Sequence, residues 1–454
     1  MRLAIRPAQS TRTLRVSAHP QCSIKILDAV HGLIWRVLLL TKLAFHRTEP
    51  ASIDGRLPPI RLTIGWVRFL RPGHCLTRRQ PFTSLNLETA VINACALTSK
   101  YRNFLITVLA LGFISPEPAS AQSPAPSQMS LPHVAVLATG GTIAGTGGSE
   151  TQTTGYKPGV LTADALLKSV PSLGKVAQVS GEQVSNVGSE NITNEILLKL
   201  TKRVNQLLAQ PDIAGVVITH GTDTLEETAY FLNLVVKSDK PVVVTGSMRP
   251  STAIGADGPS NILQAVTVAA SPAARGRGVM IVLNDRIGSA RYTTKTNANT
   301  LDTFRSPDDG YLGTLIDQVP HFETAVTKLQ TMQTPFDVSK LDSLPEVDIV
   351  YGHQNDGGYM YDAAVAHGAR GIVVAGVGAG SESLLTLPSI KKAVEKGVIV
   401  VRSSRVASGY IPADPAYIGL LGDNLNPQKA RILLMLALTV TNDPVRVQAM
   451  LEQF

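Results

Sequence analysis

Four short stretches in the middle of the chain, residues 134–138, 215–219, 242–245 and 279–283, are dominated by Val, Ile and Leu, and each gives way to a turn of Gly, Thr, Asn or Asp. Continuous rather than alternating apolarity predicts strands buried on both faces, as in a parallel sheet. Helical stretches at 226–236 and 259–269 lie between them. A second series of strands, at 348–351, 371–375 and 398–401, alternates with helices at 361–367 and 389–396. The fold class this predicts is α/β, with two domains, each a mainly parallel sheet covered by helices. Residues 336–345 have the polar, proline-marked look of a linker, which sets an N-terminal domain at 131–335 and a C-terminal domain at 346–454.

The front of the chain follows no such pattern. From Ser99 a basic flank leads into an apolar run at 104–114, then Ser-Pro-Glu-Pro, then Ala119-Ser120-Ala121. Those are the three parts of a secretory signal peptide, expected over 99–121 and cleaved after Ala121. A membrane anchor is the rival reading, but the run falls short of the ~20 apolar residues that span a bilayer. Residues 1–98, rich in Arg and Pro and without a clear period, read as a non-native or disordered extension. No methionine lies between Met1 and Met129, so a later start at a non-Met codon would explain them; a genuine basic tail is the alternative. Residues 122–130 read as a disordered Pro/Ser/Gln/Ala spacer.

Charge changes the picture once it is divided. The whole chain carries +8, but residues 1–121 hold 16 Lys and Arg against 5 Asp and Glu, which leaves 26 against 29 in the rest. A mildly acidic body offers no footprint for a phosphate backbone, so nucleic acid is excluded as an expected partner. Cys22, Cys75 and Cys95 also fall in the front segment, and a body without thiols tolerates an oxidising compartment.

Candidate chemistry gathers where the strands end. After the first comes Thr139-Gly140-Gly141-Thr142-Ile143-Ala144-Gly145, after the second Thr219-His220-Gly221-Thr222-Asp223-Thr224, after the third Thr245-Gly246-Ser247-Met248-Arg249-Pro250. Ligands of open parallel sheets bind at such carboxyl ends. The first loop lacks the spacing of nucleotide-binding glycine loops, so its glycines either make a plain turn or expose the Thr142 hydroxyl as a nucleophile. The second supplies Thr222 and Asp223 at a helix start, with Thr224 and Glu227 spaced as a capping box; that end of a helix also favours an anion. Residues 146–158 are too rich in Gly and Thr to pack and carry one aromatic, Tyr156, which reads either as part of a lid or as an anchor for the loop.

These loops resemble the two signatures of bacterial type II, periplasmic L-asparaginases. The likeness continues through Gly255-Ala256-Asp257-Gly258-Pro259, Thr294-Lys295-Thr296-Asn297 and Leu425-Asn426-Pro427-Gln428-Lys429-Ala430-Arg431, and covers residues 131–454. Ser289-Ala290-Arg291-Tyr292, Leu301-Asp302-Thr303-Phe304 and Gly378-Ala379-Gly380-Ser381 are most similar to the members called glutaminase-asparaginases. The resemblance implies hydrolysis of L-asparagine to L-aspartate and ammonia through an acyl-threonine, with some activity on L-glutamine and without metal or organic cofactor. It implies Thr142 as nucleophile, Tyr156 assisting its deprotonation, Lys295 supporting Thr222, Asp223 on the substrate ammonium, and Ser189 and Glu190 as binders of the α-carboxylate and α-amino group.

It also implies a homotetramer in which the second domain of a neighbour lends residues to each site. Ser381 is expected in that role. The family's glutamate beyond the Arg-Ser-Ser-Arg stretch is missing here, and in 406–415 the only acid is the shorter Asp414. A non-catalytic periplasmic amino-acid-binding protein is the alternative of a different class. It would have no need of Thr142, Tyr156 and Lys295. The amidase subunit that serves transfer-RNA-linked synthesis is a third reading, at odds with export and an acidic body.

Overall fold

In the computed structural model, residues 130–454 are described. The expected extension, signal peptide and nearly all of the spacer lie outside the described residues. The chain runs through β1 (His133–Gly140), α1 (Ala163–Lys168), β2 (Gln178–Val187), α2 (Asn194–Leu208), β3 (Ile213–Thr219), α3 (Leu225–Val235), β4 (Val242–Thr245), α4 (Gly258–Ala270) and β5 (Val279–Leu283). Short strands follow as β6 (Arg286–Ser289), β7 (Thr294–Lys295), β8 (Phe304–Arg305), β9 (Gly313–Ile316) and β10 (Val319–Phe322). The second series is β11 (Val347–Tyr351), α5 (Tyr359–His367), β12 (Gly371–Gly376), α6 (Leu387–Glu395), β13 (Ile399–Ser404), β14 (Leu420–Leu421), α7 (Pro427–Ala437) and α8 (Pro444–Gln453).

The first series forms one sheet in the order β10-β9-β6-β5-β4-β3-β1-β2, the second an all-parallel sheet in the order β11-β12-β13-β14. Strands β2 to β5 and β1 are parallel, and the apolar runs predicted as buried strands are buried along nearly their whole length. From β5 onward the sheet turns antiparallel, a departure from the expected pattern. Two tight hairpins make that extension. Asn284 and Asp285 have φ of 52° and 62°, and Asp317 and Gln318 have φ of 50° and 62°, the positive pair that a two-residue turn matching strand twist requires.

Helix α3 lies between the two sheets and is buried on nearly every side. Its Tyr230, Phe231, Leu234 and Val235 share a core with Val347, Val373, Val401, the residues of α7 from Ile432 to Ala437, and Leu438 just beyond it. The connecting stretch 336–345 enters that core as well. Phe336 and Val338 are 0% and 2% exposed, and Phe336 meets Phe454 edge-on at 5.4 Å, so the stretch is less polar than its composition implies. A fully buried aromatic or aliphatic side chain contributes about 1.5–3 kcal/mol, so this strap adds to the joint between the sheets.

Strand β1 has β2 on one side and β3 on the other, so the chain reverses its direction of growth there. The crevice outside the carboxyl ends of β1 and β3 is the switch point at which sheets of this kind bind ligands.

Candidate active site

In register, Ala138 of β1 stands beside Thr219 of β3, so the loops that follow leave the sheet side by side. They touch through glycine. A Cβ on Gly141, whose φ is 79°, would stand 2.2 Å from Gly221 Cα, and one on Gly221 would stand 2.8 Å from Ser189 Oγ. No side chain fits between these backbones. Beyond the contact, Thr142 and Thr222 reach one cavity from its two sides, and both are nearly buried, at 8% and 5% exposed.

The cavity has a volume of about 540 Å³. Thr142, Tyr156, Ser189, Glu190, Thr222, Asp223 and Lys295 all line it, so seven of the nine predicted site residues meet in one place. On one side a hydrogen bond of 2.6 Å joins Thr142 Oγ1 to the Tyr156 hydroxyl. Tyr156 comes from the glycine-rich loop, whose stem is pinned by paired bonds between Thr146 and Lys157. On the other side Lys295 Nζ donates to Thr222 Oγ1 at 3.0 Å and to Asp223 Oδ1 at 2.6 Å. Lys295 is mostly buried while the Asp223 side chain is 66% exposed, which leaves that carboxylate free to meet a soluble cation.

Ser189 ties the floor together. Its hydroxyl accepts from the Asp223 N–H at 3.2 Å, and its carbonyl accepts from the Thr224 hydroxyl at 2.7 Å. The second bond corrects the expected capping box. The Thr224 side chain is spent on Ser189 and makes no cap bond at the start of α3.

His220 is fully buried, and burial pushes its pKa down to about 4. It is therefore neutral at ordinary pH. Its Nδ1 donates to the Gly221 carbonyl at 2.7 Å, and its Nε2 accepts from the Thr228 hydroxyl at 2.9 Å. That fixes the plane of the Gly221–Thr222 peptide. In a trans peptide the N–H points opposite the carbonyl, so the Thr222 N–H is turned away from the histidine.

Met248, Arg249, Ala298 and Asn299 also line the cavity, though sequence reasoning singled out none of them. Arg249 lies in the loop after β4, and an arginine beyond a strand's carboxyl end is the signal the sequence offers for it. Its segment is shaped by Asp257, which accepts from the backbone N–H of Met248 and Arg249, both at 3.0 Å. Asn299 gave no signal beyond nearness to Lys295. Among the described residues no cluster of three His, Cys, Asp or Glu could hold a metal ion.

Ser381 and Asp414 are not brought to this cavity. Ser381 lines a separate space of about 240 Å³ formed by the loops after β11 and β12. Asp414 is exposed on the loop between β13 and β14, where its carboxylate accepts from the Ala416 N–H at 2.9 Å.

Two family profiles match the chain, "Asparaginase, N-terminal" over residues 133–328 and "Glutaminase/Asparaginase C-terminal domain" over 346–451. L-asparaginase 2 of Bacillus subtilis (strain 168) is 58% identical over 327 residues, which cover 71% of this chain and 87% of the relative. The glutaminase-asparaginase of Pseudomonas fluorescens biotype A is 42% identical over 364 residues, 79% of this chain and 100% of the relative. The crystal structure of a probable cytoplasmic L-asparaginase from Campylobacter jejuni superposes with a TM-score of 0.70 at 49% identity, covering 71% of this chain and 100% of that one.

Proposed function

Because this chain belongs to the asparaginase family, we propose that it hydrolyses L-asparagine to L-aspartate and ammonia through an acyl-enzyme on Thr142. The observation that carries the reading is the pair of activated hydroxyls facing one cavity, Thr142 bonded to Tyr156 and Thr222 bonded to Lys295. A threonine alkoxide is costly at neutral pH, so attack on the side-chain amide needs a partner to take the proton. Tyr156 is that partner as a relay, its hydroxyl taking the Thr142 proton while its own phenolic proton passes to the departing amide nitrogen. The Thr222 N–H, set by His220, receives the developing oxyanion, a contribution of about 2.7–4 kcal/mol per donor in comparable sites. Ammonia leaves with a proton delivered through the hydrogen-bonded groups. Water then attacks the acyl-threonine and frees the acid.

The cavity's charges suit an α-amino acid. Asp223 and Glu190 offer carboxylates to the ammonium group, and Ser189 offers its hydroxyl to the α-carboxylate. L-glutamine is a second substrate in this reading, supported by the likeness to a glutaminase-asparaginase. One methylene shifts discrimination by only about 1–3 kcal/mol, so a pocket of this kind accepts both.

Export through the 99–121 segment and assembly as a homotetramer complete the proposal. Ser381 and Asp414, which stand apart from their own chain's cavity, would then serve a neighbour's site. Ammonia release by the full chain, measured on L-asparagine and L-glutamine with Thr142→Ala as control, is the test. Turnover that survives the substitution overturns Thr142 as nucleophile. Folded protein that binds either amino acid and releases nothing favours the binding-protein alternative.

A further inference from the structure

The first turn of helix α7 carries a lysine whose side-chain hydrogen bonds go to the first domain. Lys429 sits in the first turn, where the helix dipole disfavours a cation, and it is 2% exposed. Burial lowers its pKa to about 8. Its Nζ reaches out of the second domain and donates to the backbone carbonyls of Arg291 at 2.9 Å and Thr293 at 2.6 Å. Those carbonyls belong to the segment that leads directly into Lys295.

The same turn grips the other side of the site. Lys429 Nζ lies 3.5 Å from Glu226 Oε2. Asn426, which caps α7 by accepting from the Lys429 N–H, donates through Nδ2 to Glu226 at 3.2 Å and to Thr294 Oγ1 at 3.4 Å. Gln428 donates to the second oxygen of Glu226 at 3.1 Å. Glu226 is 4% exposed and follows Asp223 by three positions. One turn of the second domain is therefore bonded both to the strand that carries Lys295 and to the helix that follows Thr222 and Asp223. The two carriers meet in the cavity at Lys295–Thr222 and are joined behind it through Lys429, which bonds the one and pairs with Glu226 of the other.

We propose that Lys429 and Glu226 are positioning residues of the hydrolytic reaction, a buried clamp through which the second domain sets the contact between Lys295 and Thr222. The proposal rests on the reading that this contact takes part in turnover. The clamp bears on turnover more than on substrate binding. Lys295 also holds the Asp223 carboxylate, but the Asp223 backbone keeps its tie to Ser189 and the Glu190 carboxylate is held by Asn191, so the other groups offered to the substrate's α-groups do not hang on Lys295.

The test is steady-state ammonia release from L-asparagine by the full chain for wild type, Lys429→Met, Lys295→Met and the double variant, with thermal melts of each. Lys295→Met is expected to lower kcat by about 100-fold or more, as loss of a group in the proton path does. Lys429→Met is expected to lower kcat by about 10-fold with KM changed less than about threefold, since a small misplacement of a reacting group costs turnover first. With Lys295 already replaced, the same change should cost less than about twofold, because the two act as one unit.

Folded Lys429→Met with wild-type kcat and only a lower melting temperature overturns the clamp and leaves the functional reading standing. An equal loss in both backgrounds also overturns it. A near-normal kcat in Lys295→Met overturns the reading on which the clamp rests. Should Lys429→Met fail to fold, Glu226→Gln keeps the shape and one acceptor oxygen while removing the charge. It is expected to lower kcat about threefold with the same split, and an unchanged kcat there overturns the proposal.

Discussion

The two hydroxyls of the site are held in opposite ways. Thr222 stands on a loop backed by buried groups: His220 beneath, Ser189 beside, Lys295 in front, and behind them Glu226 and Lys429 at 5% and 2% side-chain exposure. Thr142 depends for its hydroxyl partner on Tyr156, which rides on a loop whose residues from Gly148 to Gly155 are almost all exposed. In the proposed reading the built half is the fixed wall and the loop that carries Tyr156 is the one that opens. A substrate must enter, lose ammonia and leave as an acid, so one wall of the site has to open. The difference teaches that the buried charges and the exposed loop over the site belong to separate segments.

The sharpest way to break this contrast is to injure each half and read both activity and stability. Thr142→Ala is expected to lower kcat by about 10⁴-fold or more, as loss of a nucleophile does. Its melting temperature should hardly change, since one hydrogen bond at the lid is worth about 1 kcal/mol. Glu226→Ala is expected to do the reverse in emphasis, destabilising the fold by about 3–5 kcal/mol in urea unfolding, because it strands the buried Lys429 charge. If both variants lost stability equally, the division into a built half and a lid half would not hold.

How far these halves are legible in the sequence differs for the same physical reason. The glycine loops and their hydroxyls are local features, and the apolar runs before them predict the strands that bring them together. Tyr156 stood out as an aromatic in a segment too polar to pack. The built half is largely tertiary. Glu226 and Lys429 are 203 positions apart in the chain, and nothing near either one says that they meet. Thr224 and Glu227 have capping-box spacing, yet Ser189 claims the Thr224 hydroxyl. The antiparallel extension is hard to read because its strands are four residues long and carry no continuous apolar run, and β9 and β10 are only partly buried. The Asn284-Asp285 and Asp317-Gln318 turns were its best available sign. Helix α2, with Thr193 accepting from the Ile196 N–H at its start, follows from local rules and was legible but unread.

Acid sharpens the contrast from the side of the built half. His220 has its pKa lowered from 6.5 to about 4 by burial. Between those values the unfolded chain binds the proton and the folded chain does not, so stability rises with pH through that window. The His220 contribution is full above pH 6.5 and is lost progressively as the pH falls toward 4, by about 3 kcal/mol in all. Urea midpoints at pH 7.5, 5.5 and 4.5 should show this component in wild type and in Thr142→Ala. His220→Gln, which cannot take up the proton, should lack it. A histidine that titrates near 6.5 in the folded protein would remove the argument that its neutral form fixes the Gly221–Thr222 peptide.

The smallest effect is expected at the lid's outer fastening, and it bears most directly on whether the lid is free. Gly145 O accepts from the Ser251 N–H and hydroxyl, the Gly147 N–H donates to Thr252 Oγ1 at 2.8 Å, and the Ile254 N–H donates to Glu150 O at 2.8 Å. Residues 251–254 therefore act as a dock for the loop that carries Tyr156. Thr252→Val removes one of these bonds while nearly keeping the shape, a change of about 0.5–1.5 kcal/mol. If the closed lid is only marginally favoured, that loss lowers the closed fraction and raises the apparent dissociation constant in proportion. KM for L-asparagine should then rise by about three- to fivefold, with kcat within about twofold and an unchanged melting temperature. An unchanged KM would mean that the closed state has stability to spare, and that the Tyr156 wall is held as firmly as the wall built on Lys295.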